Sequence, residues 1–127
     1  MKDLSKFIEV VTTKVARDKR GTWSQGSVTY LEAMYAELKE VETEIESEKK
    51  CYLEDELGDI LWVYLCMLYH MENEGKIDVQ SVFARAEQKY TERVNGIESG
   101  MSWEVIKTIQ KERLAQEQQA IDSRVTL

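Results

Sequence analysis

Glu37-Leu38-Lys39-Glu40 and Glu56-Leu57-Gly58-Asp59 each set two carboxylates three residues apart, so on a helix each pair shares one face. An antiparallel hairpin would bring the two pairs together as a pocket of hard oxygen donors, the ligand type that Mg²⁺ takes. Asp59 also opens a run, Ile60 to Tyr69, in which every residue is apolar or aromatic. Such a run has little polar surface on any side, which predicts a deeply buried helix. At about 100° per residue, Asp59 lies on the face of Asp55, Glu56, Trp62, Val63, Cys66 and His70, while Leu53, Leu57, Ile60, Leu61, Tyr64 and Leu68 point the other way. A carboxylate carried into that interior costs on the order of several kcal/mol unless a cation, hydrogen bonds or protonation compensates it. Gly58 costs roughly 1 kcal/mol relative to alanine in mid-helix and predicts close approach of another backbone or a ligand.

The elements that must hold these acids follow from apolar periodicity. Leu4, Phe7, Ile8, Val11 and Val15 form a stripe over 3–18, with Lys14, Arg17 and Arg20 near the end where the helix dipole favours positive charge. After the break GTWSQG at 21–26, Ser27 is a candidate N-cap, and a second helix carries Leu31, Met34, Leu38, Val41 and Ile45 to about Ser47. A polar turn around Glu48 to Lys50 leads to a third helix, about Tyr52 to Glu74, ended by Gly75. Asp78 can cap a fourth helix with Val79, Val82, Phe83, Ala86 and Tyr90, closed by Gly96 and Gly100. A shorter fifth helix starts near Ser102, and its apolar signal fades after Leu114, leaving a solvated or partner-dependent tail from Gln116.

No strand alternation and no repeat compete with this pattern, so the expected fold is all-α. It is a four-helix bundle core with an additional C-terminal helix, one domain over 1–127 with its core at about 3–95 and the C-terminal helix and tail at about 101–127. One copy is short of material to cover the third helix, which predicts completion by dimerisation across a self-complementary interface. The chain has 127 residues, 32% of them charged, and no proline, a composition suited to long helices. Its formal net charge of −7 excludes a general binder of nucleic-acid polymers, which needs a basic stripe. It does not exclude a phosphorylated ligand, because divalent cations held by acids make a locally positive floor. Cys51 and Cys66 are too few for a disulfide scaffold and, with His70, lack zinc-site spacing. No segment has the length or apolarity of a secretion signal or a membrane span, so a soluble cytoplasmic protein is expected.

Glu37-x-x-Glu40, followed one helix later by Glu56-x-x-Asp59 and Ile-Leu-Trp, resembles the MazG-like nucleoside triphosphate pyrophosphohydrolases, an all-α superfamily that includes the dimeric dUTPases. The family signature is EExxE followed by ExxD; here Ala36 stands in place of the first acid. Gly21-Thr22-Trp23-Ser24-Gln25 is similar to the Trp-containing segment before the first acidic helix, with Ser24 where an Asp often follows. The resemblance covers about residues 18 to 95. It implies hydrolysis of a nucleoside triphosphate to the monophosphate and pyrophosphate, with Glu37, Glu40, Glu56 and Asp59 holding one or more Mg²⁺ ions, for which Mn²⁺ could substitute. One of the four acids would accept the proton of the attacking water. Trp23 would stack on a base or cover the pocket, and Lys89 and Arg93 would contact phosphate oxygens. The assembly implied is a homodimer or a homotetramer built as a pair of dimers.

Each of these residues has a plainer reading. Paired glutamates usually form a solvated face; Lys89 and Arg93 can pair with Glu87 or Glu92 on their own helix. Trp23 can plug the bundle end, and His70 and Cys66 can be satisfied core residues. The alternatives at the level of function are an enzyme like phosphoribosyl-ATP pyrophosphohydrolase, which shares the acid pattern, and a non-catalytic helical protein that dimerises through its third helix.

Overall fold

Apolar residues at every third or fourth position, uninterrupted by proline, give five helices in the computed structural model, which describes residues 3–125. They are α1 (Ser5–Arg20), α2 (Ser27–Ser47), α3 (Lys50–Asn73), α4 (Val79–Glu98) and α5 (Trp103–Val125). No strand occurs among the described residues, nor any helix long and apolar enough to cross a membrane. By the density of internal contacts the chain divides into two units, Met1–Val79 and Gln80–Leu127.

In the first unit α3 packs against both α2 and α1. Val11 and Val15 of α1, Tyr30 of α2, and Val63, Leu65, Cys66 and Leu68 of α3 form its buried core, and Phe7 meets Trp62 with ring centroids 6.0 Å apart. The turn between α2 and α3 is only Glu48 and Lys49, with Glu48 in the left-handed region at φ 58°. At the other end Gly26, at φ 92°, precedes α2, and Gly75, at φ 77°, follows α3.

Two expectations change here, at Ser27 and at Gly58. Ser27 is the first residue of α2 rather than its cap. The cap comes from Glu74, the residue that follows α3: the Ser27 backbone N–H donates to its Oε2 at 2.9 Å and the Ser27 hydroxyl to its Oε1 at 2.8 Å. A carboxylate at a helix N-terminus satisfies a free N–H and meets the positive end of the dipole. The Ser27 N–H, helped by the Ser27 hydroxyl and Lys76, therefore holds the Glu74 carboxyl down at about 2. The third helix is not covered on every side by its own chain, since Leu57, Leu61 and Tyr64 are exposed along one face, as are Leu31, Leu38 and Ile45 on α2. Apart from its chain neighbours and its own helix backbone, no described residue lies within 4 Å of where a Gly58 side chain would begin.

In the second unit the close approach falls at Gly96 instead. This glycine is inside α4 rather than at its end, and a methyl group there would lie 2.2 Å from Ile106 Cδ1 of α5. Gly100, at φ 91°, makes the turn. Ser102 then caps α5, its hydroxyl accepting from the Val105 N–H at 3.1 Å. α5 continues well past Leu114 to Val125, further than its apolar pattern predicts, with residues 117–124 exposed.

Candidate metal centre

The two-residue turn sets α2 and α3 side by side in a register that brings Glu37 opposite Glu56 and Asp59. One carboxylate oxygen from each of the three lies within 4.8 Å of the others. All three residues are half-buried. Glu37 Oε2 is fully buried and has no hydrogen-bond partner among the described residues. Natural proteins rarely leave a buried carboxylate oxygen in that state, so the cluster has the donor type, the convergence and the unmet demand that fit a hard divalent cation.

The electrostatics agree with the geometry. Burial, then the negative charge of Asp59, pushes the Glu37 carboxyl above its ordinary value. Burial, with the charge of Glu40 and the proximity of Glu37, raises Glu56 to about 7. Like charges forced together hold a proton unless something positive replaces it. Glu40 is exposed and stands outside the trio, although its charge bears on Glu56. Three of the four acids singled out by spacing are therefore brought together, and the fourth lies at their rim.

A second polar cluster occupies the opposite end of the hairpin, and spacing offers no sign of it. Asp18, at the end of α1, has a side chain only 3% exposed. It accepts from the Lys14 ammonium, from the Tyr30 hydroxyl at 2.5 Å and pairs with His70 Nε2 at 3.0 Å. Burial pushes the Asp18 carboxyl up, but hydrogen bonds from Lys14, Tyr30 and His70 outweigh it and hold it below its ordinary value. Burial and the bond to Asp18 push the Tyr30 hydroxyl well above its usual range. His70 is thus a core histidine stacked on Tyr30 at 5.3 Å, and Cys66 is a core residue whose thiol burial raises to about 11. Tyr30 precedes Glu37 by seven residues, roughly 10 Å of helix, so this network does not share the acidic cluster's donors. Its work is to fasten α1 to the α2–α3 hairpin.

Trp23 lies over this network rather than over the acids. It is 65% exposed, with its edge towards Tyr30 at 5.8 Å and the Lys14 ammonium 4.4 Å from its ring centroid. Lys89 and Arg93 belong to α4 in the second unit. Lys89 has its ammonium 5.8 Å from the Tyr90 ring. Arg93 is only 8% exposed, and its Nε donates to Gln110 Oε1 at 2.8 Å. Neither forms the same-helix ion pair with Glu87 or Glu92; Glu92 pairs instead with Arg113 at 3.0 Å.

The family model of the MazG nucleotide pyrophosphohydrolase domain matches residues 25–97, more than half of the chain and a span that includes all four acids. No curated protein and no solved structure matches the chain significantly.

Proposed function

The chain belongs to the MazG nucleotide pyrophosphohydrolase family, and from that premise we propose that it hydrolyses a nucleoside triphosphate, ribo- or deoxyribo-, to the monophosphate and pyrophosphate in a Mg²⁺-dependent reaction. The observation that carries the reading is the convergence of Glu37, Glu56 and Asp59 around a buried, unpartnered Glu37 oxygen. These three, with Glu40 beside them, are the proposed ligands. A divalent ion bound there would neutralise phosphate charge and lower the pKa of a water. Of the four acids Glu40 is the one the trio leaves free, and it is the proposed acceptor of that water's proton. Trp23 is kept as a base-stacking or covering residue, and Lys89 and Arg93 as contacts to phosphate oxygens.

Two further parts of the proposal concern the assembly. The matched span runs from the first unit into the second, which supports treating the chain as one functional domain. The exposed apolar faces of α2 and α3 support a second copy packing there to complete a four-helix bundle, as a homodimer or a pair of dimers.

The test is a panel of standard and modified nucleoside triphosphates assayed for pyrophosphate with Mg²⁺ or Mn²⁺. At least one should be cleaved, and EDTA or Asp59→Ala should abolish the release. A silent panel would remove the hydrolase reading and leave that of a helical interaction protein.

A further inference from the structure

Trp23 is 65% exposed, which does not suit a plug, since a plug stabilises a fold by leaving water. The loop that carries it is nevertheless tied down. The Gln25 N–H donates to Thr29 Oγ1 at 2.8 Å and the Gly26 N–H to Ser24 Oγ at 3.1 Å, so the chain just after Trp23 has a fixed course into α2.

The ring itself is held by Lys14. The Lys14 ammonium lies over it, 4.4 Å from the centroid, within the range at which the negative face of an indole attracts a cation. That ammonium is anchored in turn. It donates to the Asp18 carboxylate and, at 3.2 Å, to the Tyr30 hydroxyl, and Asp18 is bonded to Tyr30 and His70 in the core. Tyr30 adds a ring contact at an interplanar angle of 74°. One face of Trp23 is therefore occupied by a cation fastened to the core, and the other is open. Asp18 balances the Lys14 charge, so the assembly offers a flat ring rather than a site for phosphate.

The place of this ring along α2 matters as much as its order. Tyr30 and Glu37 are seven residues apart, which puts them on the same face of the helix, two turns from each other. The indole that touches Tyr30 thus stands about 10 Å of helix from the acidic trio, a gap that the sugar and phosphate chain of one nucleotide can bridge. A ring ordered before the ligand arrives also spares part of the entropy that binding would otherwise cost.

We infer that Lys14 is a positioning residue for base recognition: anchored by Asp18 and Tyr30, it holds the Trp23 ring in place so that the open face stacks on the nucleobase of the substrate. The inference rests on the reading of Trp23 as a base-stacking residue and extends it to α1. Lys14, Asp18 and Trp23 all precede the matched residues 25–97, so the family match assigns none of them a role.

Calorimetric titration of the full-length protein with Mg²⁺ tests this, using the α,β-methylene analogues of the adenine, guanine, cytosine and uracil nucleoside triphosphates, which resist cleavage, beside inorganic tripolyphosphate. At least one analogue should bind more tightly than tripolyphosphate, and Trp23→Ala should weaken it roughly tenfold or more. Lys14→Gln, whose amide can still donate to Asp18, should weaken it roughly threefold or more. Lys14→Arg should restore it, and tripolyphosphate should bind all these forms alike. In the ligand-free wild type, NMR relaxation of the Trp23 indole N–H should show a ring as restrained as the α1 backbone, a measurement that keeps the test alive if Lys14→Gln does not fold. The inference is overturned by a mobile indole, by analogue binding that Lys14→Gln retains or Lys14→Arg fails to restore, by equal loss of analogue and tripolyphosphate, or by no analogue binding better than tripolyphosphate at millimolar concentration. If Trp23→Ala weakens the analogue and Lys14→Gln does not, this inference falls alone; if Trp23→Ala changes nothing, the base-stacking reading falls with it. Base-dependent binding without turnover of any triphosphate would leave the Lys14 role standing and remove the hydrolase reading.

Discussion

Two carboxylates of this chain meet opposite fates, and the difference lies in their neighbours. Asp18 is surrounded by donors and stays charged in the core; Glu37 and Glu56 are surrounded by acids and are pushed towards protonation. Removing the Asp18 carboxylate would leave Lys14, Tyr30 and His70 facing an empty acceptor position. Asp18→Ala should therefore destabilise the fold by about 3 kcal/mol in a urea melt, and a loss below about 1 kcal/mol would show that water replaces the acceptor. For Glu56 the sign runs the other way. Its folded pKa of about 7 is raised, so its contribution to stability is fully present below the ordinary carboxylate pKa and is lost as pH rises through about 7. Without divalent ions the melting temperature should fall between about pH 5 and about pH 8, more in the wild type than in Glu56→Gln, and Mg²⁺ should restore it at the upper end. A wild type whose melt is flat across that window and indifferent to Mg²⁺ would mean that the three acids do not act on one another. The acid pairs were legible in the sequence because three-residue spacing puts side chains on one face. Glu40's place at the rim was not, since the same spacing says nothing about where a face meets solvent. The Asp18 network was invisible, as its partners come from three helices and lie up to 52 residues apart.

At the scale of elements, periodicity located all five helices, and the disagreements fall where a helix depends on something distant. Ser27 lost its capping role because Glu74, 47 residues away, supplies a stronger acceptor. A glycine inside a helix predicted close approach, and the rule held for Gly96 but met nothing at Gly58, because the pattern of one helix does not say which neighbour comes near. The end of α5 was misjudged since charged and amide-bearing residues can continue a helix that apolar residues no longer mark. The α2–α3 turn carries a local cost: Glu48 adopts a left-handed backbone at φ 58° that a side chain disfavours. Glu48→Gly should raise stability by up to about 1 kcal/mol, read as a higher urea midpoint with the slope unchanged. A lower midpoint would show that the glutamate side chain stabilises the turn by more than its backbone strain costs.

For the molecule as a whole, the family and the all-helical class were readable from the acidic motifs and the periodicity together. The partner surface is a different matter, because exposure in one copy does not by itself say what covers it. The apolar residues of α2 and α3 nevertheless give the dimer proposal a direct check. Leu61, 40% exposed, lies midway along the α3 face, and a charge there would be buried unpaired in a two-fold interface. Leu61→Glu should shift the protein towards monomer in sedimentation while leaving its helix content intact. A wild type that sediments as a monomer at micromolar concentration would end the dimer reading without touching the acidic cluster.

The brevity of the hairpin connection has a consequence for how such a protein can change over time. Side chains at Glu48 and Lys49 are open to substitution, but their number is not. One inserted residue taken up as helix rather than as turn would swing every side chain of α3 by roughly 100° relative to α2, parting Glu37 from Glu56 and Asp59 while each helix stayed individually sound. Tolerance of spelling and intolerance of count is the signature to look for when this linker is randomised.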